Sequence, residues 1–135
     1  MSGIESQSPM TRTGQQTRRA VLGEDYVARA EAATTAFDAP FQGLITEAAW
    51  GHVWSRDSWS KRERSIVTIA LLAALGHHEE MAMHVRAIAR TGATEDDVCE
   101  ALLHVAIYAG VPAANTAFRI AKQVFAEQRA AATAE

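Results

Sequence analysis

Three ionisable side chains recur at helical spacing in the segment 77–92, HHEEMAMHVRAIARTG. At about 100° per residue, His77, Glu80 and His84 fall on one arc, together with the apolar residues of that helix. Glu80 and His84 stand four residues apart, so the carboxylate and the imidazole can interact. Because a buried ionisable group is unfavourable without a partner, this arc predicts either a reactive site or a structural Glu–His contact between helices.

The helix that precedes this arc positions it. Ser60 and Glu63 have the spacing of a capping box at its start, and Gly76 is suited to end it. The run 66–75, IVTIALLAAL, is apolar on nearly every side, which predicts a helix buried by its own chain and by neighbouring subunits. It is shorter than the roughly 18 apolar residues of a membrane span.

Turn and cap residues divide the rest of the chain into further helices. No segment shows the alternating pattern of a strand, so the sequence predicts an all-α fold with about six helices. Besides the two central helices, we expect helices over 23–35, 41–53, 94–108 and 113–128. Asp38 and Pro40 are predicted to start the second of these, and Thr94 to cap the third.

Composition bounds the domain organisation and the partners. We expect a flexible N-terminal arm over residues 1–16, a single domain over 17–128, and a frayed tail over 129–135. A net charge of −3 and a pI near 5.9 give no reason to expect nucleic acid or an anionic membrane as partner. Neither a signal peptide nor a transmembrane segment is visible, which favours the cytoplasm.

Two further places could contribute to a site. The loop 54–59 sets Trp54 beside Arg56, which could form the apolar wall and the anion contact of a pocket. The aromatic residues of this loop could equally lie at a subunit interface. His104 lies near the apolar side of its predicted helix, where a histidine is usually a core residue with one hydrogen bond.

Several segments together resemble the gamma-carboxymuconolactone decarboxylases. The resemblance covers about Tyr26 to Phe125. The segments are GHVWSR at 51–56, RSIVTIALLAALG at 64–76, Glu80 with His84, EALLH at 100–104, and YAGVPA at 108–113.

This resemblance implies a cofactor-independent and metal-free decarboxylation. The substrate would be a lactone dicarboxylate, converted to the beta-ketoadipate enol-lactone and carbon dioxide in protocatechuate catabolism. It also implies an alkylhydroperoxidase-like helical bundle assembled as a homo-oligomer, commonly a trimer or hexamer, with sites near subunit contacts. The wider superfamily contains peroxidases with a CxxC pair, whose positions correspond here to His77 and Glu80. Thiol peroxidase chemistry is therefore excluded.

The implied reaction gives each candidate residue a role. His84 is predicted to be the general acid or the donor to the oxyanion, because imidazole titrates near neutrality. Glu80 would hold His84 in one tautomer or keep it protonated. Arg64 is predicted to bind a substrate carboxylate through its guanidinium fork. Further candidates for substrate binding are Arg56, Trp54, His77 and His104.

Three other functions remain open from the sequence. His77, Glu80, His84 and His104 offer metal ligands, although the pattern is neither HExxH nor the Glu-x-x-His of di-iron bundles. A related decarboxylase or isomerase could act on another lactone or beta-dicarbonyl acid. A helical oligomer without enzymatic activity is the third.

Overall fold

A computed structural model describes residues 7–134, which form two compact units that divide between Trp59 and Ser60. Within these residues there are eight α-helices, one π-helical segment and no strand, which confirms the all-α class. The first unit contains α1 (Pro9–Leu22), α2 (Glu24–Ala33), α3 (Ala39–Ile45) and the π-helix Thr46–Val53. The second contains α4 (Lys61–Leu75), α5 (His78–Arg86), α6 (Ile88–Thr91), α7 (Glu95–Tyr108) and α8 (Val111–Thr133). The expected count of about six helices was too low.

In the first unit, α1 packs closely against the π-helix. Gly14 of α1 is buried, and a Cβ atom there would overlap the backbone carbonyl oxygen of Thr46. Gly51 has the same relation to Met10, whose side chain and carbonyl would lie within 3 Å of a Cβ atom. Glycine at both positions therefore lets the two backbones approach more closely than any other residue would.

The N-terminal part of this unit differs from the sequence-based expectation. Helix α1 begins at Pro9, and the Thr11 N–H donates to the Ser8 hydroxyl across 3.0 Å as its cap. No helix was predicted from the sequence over residues 9–16, which α1 includes. The flexible arm expected over 1–16 stays a prediction, and residues 1–6 lie outside the described part. The helix ends at Gly23, whose φ of 92° breaks the continuation into α2.

In the second unit, α4 packs against α5 and α7, around a core that α8 completes. The Arg62 guanidinium donates two hydrogen bonds, of 2.8 and 2.6 Å, to the Asp97 carboxylate and so joins α4 to α7. These bonds lower the pKa of Asp97 and raise that of Arg62. The buried Ser65 hydroxyl donates to Thr91 across 2.8 Å and joins α4 to the end of α6. Helix α4 is thus fixed to its neighbours near its first turns.

The helix boundaries in the second unit confirm the predicted signals. Ser60 and Glu63 form a capping box at the start of α4, and Gly76 ends it in the left-handed conformation. Thr94 caps α7 through the Asp97 N–H. In the first unit, by contrast, the Asp38 carboxylate does not cap α3; it accepts from the Thr35 N–H across 2.7 Å.

Helix α4 is not buried on all sides within this chain. Val67, Leu71 and Leu75 follow one another at four-residue spacing, with exposed fractions of 39%, 55% and 68%. At the C-terminus, α8 continues past the predicted end at residue 128 to Thr133, and Arg129 binds Glu95 at 2.6 Å. The frayed tail expected over 129–135 stays a prediction. The single domain expected over 17–128 stays a prediction. None of the helices described here is long and apolar enough to cross a membrane.

Candidate active site

His84 is the one site candidate that is buried in the core of the second unit. Helix α5 turns Met81, His84 and Val85 inward, and His84 keeps only 6% of its surface exposed. Burial penalises the charged imidazolium and lowers the pKa of His84 from 6.5 to about 4, and the charge of Glu80 only partly opposes this decrease. The imidazole is therefore neutral near pH 7, with one nitrogen carrying a proton and the other able to accept one.

The other two members of the predicted arc lie at its edge. Glu80 and His77 are exposed in the single chain, and His77 stands at the N-cap position of α5 without a side-chain capping bond. Glu80 still acts on His84 through its charge, which favours the protonated imidazole. The predicted Glu80–His84 proximity is thus confirmed, whereas burial of all three groups in one stripe is wrong.

Arg64 projects from α4 beside a well-fixed neighbour. Its side chain is partly buried, and the next residue, Ser65, is fully buried in its hydrogen bond to Thr91. The backbone N–H of Arg64 donates to the Ser60 carbonyl in the first turn of α4. These bonds fix the backbone from which the Arg64 side chain extends, and its guanidinium is a group suited to recognise a carboxylate.

His104 does not occupy the core position that its place near the apolar side suggested. It is exposed on α7, and its ring stacks on Tyr108 with centroids 6.2 Å apart and an interplanar angle of 12°. Tyr108 is itself 85% exposed. The interpretation of His104 as a core histidine is therefore wrong for this chain.

The two candidates of the first unit have different environments. Trp54 is buried and lies 5.2 Å from Trp50, ring centroid to ring centroid, while Arg56 is exposed. The Ser55 hydroxyl donates to the Trp50 carbonyl across 2.6 Å and also contacts the Thr17 hydroxyl at 2.6 Å. The end of the π-helix is therefore tied to α1, which fixes the backbone on both sides of Trp54.

The structure places five predicted residues in the second unit and two in the first. Arg64, His77, Glu80, His84 and His104 belong to α4, α5 and α7 or their ends; Trp54 and Arg56 belong to the first unit. Within residues 7–134 no three His, Cys, Asp or Glu side chains are grouped closely enough to hold a metal ion.

Sequence reasoning missed Arg18, a buried cation on α1.

Comparison with known proteins identifies the family. A sequence model of the carboxymuconolactone decarboxylase family matches residues 39–123. The chain belongs to this family. The resemblance noted from the sequence segments is confirmed, and the match includes every site candidate predicted from the sequence.

Curated relatives add the activities of similar chains. The chain is 45% identical over 112 residues to 4-carboxymuconolactone decarboxylase of Acinetobacter baylyi, covering 83% of this chain and 84% of that protein. It is 40% identical over 99 residues to nitrosuccinic acid decarboxylase of Metarhizium robertsii, covering 73% and 69%. Both relatives are carboxy-lyases that act on acids, which supports the same enzyme class here.

Proposed function

We propose that this chain decarboxylates gamma-carboxymuconolactone to the beta-ketoadipate enol-lactone and carbon dioxide, as a carboxy-lyase of protocatechuate catabolism. The observation that carries the proposal is the 45% identity to the Acinetobacter decarboxylase across most of both chains. The buried imidazole of His84 supplies a group suited to the reaction.

The substrate itself provides the electron sink. The carbon that loses the carboxylate is the γ carbon of an unsaturated lactone. The electron pair of the broken C–C bond moves through the ring double bond onto the lactone carbonyl oxygen. Protonation of the resulting dienolate at the carbon α to the carbonyl gives the enol-lactone. The protein must bind the carboxylates, stabilise the oxyanion and deliver one proton.

His84 is proposed to donate a hydrogen bond to the oxyanion that develops on the lactone carbonyl oxygen. In the free protein the imidazole is neutral near pH 7 because its pKa is about 4, so it enters as an N–H hydrogen-bond donor. As negative charge develops on the oxygen, the imidazolium becomes more favourable, and Glu80 favours it in the same sense. Arg64 is proposed to bind a substrate carboxylate, with His77, His104, Arg56 and Trp54 as further binding residues.

Turnover by the wild-type protein tests this function. Carbon dioxide release is measured with gamma-carboxymuconolactone generated in situ from its carboxymuconate precursor. We expect turnover in the presence of a chelator, with formation of one enol-lactone per carbon dioxide. A wild-type protein that is folded and releases no carbon dioxide above the spontaneous rate would refute the proposed substrate.

A second candidate substrate is suggested by the Metarhizium relative, which is named as a decarboxylase of nitrosuccinic acid. That acid and the lactone share a carboxyl group and a carboxymethyl group on one carbon, next to an electron-withdrawing group. The alternative is therefore a related decarboxylase that uses another acid of this type. The ratio of kcat/KM for the lactone and for nitrosuccinate decides between them, and we expect it to favour the lactone.

The proposed enzyme is a homo-oligomer, and its exposed apolar side chains are the candidates for the subunit interface. Leu71 and Leu75 on α4 and Ile107 and Tyr108 on α7 are each more than half exposed. A protein with such residues on its surface usually covers them in an interface. The trimer or hexamer and the cytoplasmic location expected from the sequence belong to this proposal; light scattering and cell fractionation test them.

We expect Ile107→Glu to lower the mass of the assembly measured by size-exclusion chromatography with light scattering. A buried carboxylate without a partner would destabilise an interface that contains position 107. Ala131→Glu is the control, because Ala131 is a small exposed residue on α8 and not one of the large exposed apolar side chains of α4 and α7. A wild-type mass of 14.6 kDa would contradict the homo-oligomer, and an unchanged mass of the Ile107→Glu assembly would contradict an interface at position 107.

A further inference from the structure

A cavity of about 600 Å³ lies within the first unit, between α1, α2 and α3. Its lining combines polar side chains with the apolar side chains of Val27 and Ala39. The charged residues of the lining are Arg18, Arg19 and Glu31. None of the residues given a catalytic role above lines this cavity. The kind of ligand that it can bind depends on how these three charges are paired.

Arg19 and Glu31 neutralise each other. The Arg19 guanidinium lies 2.6 Å from a Glu31 carboxylate oxygen and 3.4 Å from one of Glu24. Arg19 thus has two carboxylates within reach, and its side chain is about one-third exposed. The positive charge of Arg19 is therefore already paired and is not the ionic partner of a ligand.

Arg18 is in the opposite situation. Only 9% of its surface is exposed, and no carboxylate of residues 7–134 forms an ion pair with it. Its Nη2 donates to the Gln42 side-chain oxygen across a long 3.3 Å, and its buried Nε has no hydrogen-bond partner. A guanidinium has five N–H donors, and a buried cation is costly unless an anion pairs with it.

We propose that this cavity binds a small organic acid through one carboxylate group, with Arg18 as its ionic partner. A carboxylate accepts two parallel N–H donors of a guanidinium, which matches the unfilled donors of Arg18. Arg18 is the one cation of the lining without a carboxylate partner among residues 7–134, which suits a singly charged group. A phosphate dianion would carry excess negative charge beside Glu31. The acid is either the substrate of the enzyme or a second molecule.

Binding of 4-oxopentanoate is the test, because it carries one carboxylate and fits easily into this volume. Its methyl ester has nearly the same shape without the charge. Ligand-observed NMR and the ¹⁵N signal of the Arg18 Nε–H report binding to the wild-type protein. We expect saturable binding of the acid with a shift of that signal, and no comparable effect of the ester.

Variants locate the interaction. Arg18→Gln is expected to weaken binding of the acid by about tenfold or more, while Arg19→Lys, which keeps the positive charge beside Glu31 in the same cavity, changes it by less than about threefold. Arg18→Lys, which keeps the charge but loses the fork, assigns the Nε–H signal if Arg18→Gln does not fold. Equal binding of acid and ester, unchanged binding by folded Arg18 variants, or tighter binding of inorganic phosphate would overturn the proposal.

Kinetics then identify the source of the carboxylate. If 4-oxopentanoate raises only KM for the lactone in the wild-type protein and has no such effect in Arg18→Gln, the cavity receives the substrate carboxylate. If it binds while KM is unchanged, the cavity receives a second acid. The NMR arm needs no turnover, so loss of the proposed decarboxylation would leave this inference standing, and loss of binding would leave the decarboxylation standing.

Discussion

His84→Ala is expected to lower kcat for decarboxylation of gamma-carboxymuconolactone by about 10²- to 10⁴-fold at pH 7. The wild-type imidazole is buried on α5, where a hydrogen bond to a developing oxyanion is stronger than it would be in water. Alanine offers no donor and no proton. Because the lost interaction belongs to the transition state, KM should change far less than kcat. Steady-state carbon dioxide release measures both constants.

The matched control is His78→Ala, six residues earlier on the same helix. His78 is exposed and lines a shallow cavity between α5 and α8. We expect its kcat to remain within about threefold of wild type. Circular dichroism and oligomer mass must show that both variants are folded. A folded His84→Ala protein with wild-type kcat would remove His84 from the reaction.

Acidification is expected to destabilise the protein through the same residue. The pKa of His84 is about 4 in the folded state, against 6.5 for an unperturbed histidine, so the unfolded chain binds a proton that the folded chain does not. Stability is therefore fully present above pH 6.5 and is lost as the pH falls toward 4. The decrease in the free energy of unfolding caused by His84 alone reaches about 3 kcal/mol.

His84→Gln isolates that contribution, because glutamine keeps a polar side chain and does not titrate. Urea unfolding of both proteins between pH 7.5 and 4 gives the free energy of unfolding at each pH. The stability difference between wild type and variant should shrink by about 3 kcal/mol over this range, while contributions of other groups, including Asp97, cancel. A difference independent of pH would show that His84 is not buried as a neutral group.

A neutral His84 bears on how the proton is delivered. An imidazole with a pKa of about 4 is a weak base and is rarely protonated near pH 7. The dienolate, once formed, supplies the negative charge that favours uptake of a proton from water by His84, and the imidazolium then transfers a proton to the carbon α to the carbonyl. Glu80 supports this step by its charge from the edge of the site. Oxyanion donation thus precedes proton transfer in the proposed reaction.

Local signals allowed much of the fold to be predicted from the sequence. Ser60 with Glu63 and Thr94 with Asp97 cap their helices because side chain and backbone lie within one turn. Helix α1 was missed because its Ser, Thr, Gln and Gly residues indicate irregular structure. Helix α1 packs at Gly14 against the π-helix, which is distant in sequence, so no local signal predicted this contact.

The contrast between local signals and contacts distant in sequence also explains which parts of the candidate site were predicted. Helical period correctly grouped His84 with the buried Met81 and Val85. The period gives the direction of a side chain but not where the neighbouring helices end, so it could not show that Glu80 and His77 lie outside the packed region. For Arg18, the spacing to Gly14, Val21 and Leu22 on one face was a usable signal, although nothing local indicates the cavity beside it.

The central claim is that the fold keeps a neutral imidazole at the reaction site, and an NMR titration of His84 tests it most directly. The ring signals of the ¹⁵N-labelled protein are followed from pH 8 to 3.5, with His84→Gln to assign the His84 signals. We expect a midpoint near pH 4 with the neutral tautomer present at pH 7. A midpoint at or above 6.5, with the imidazolium present at pH 7, would contradict the account.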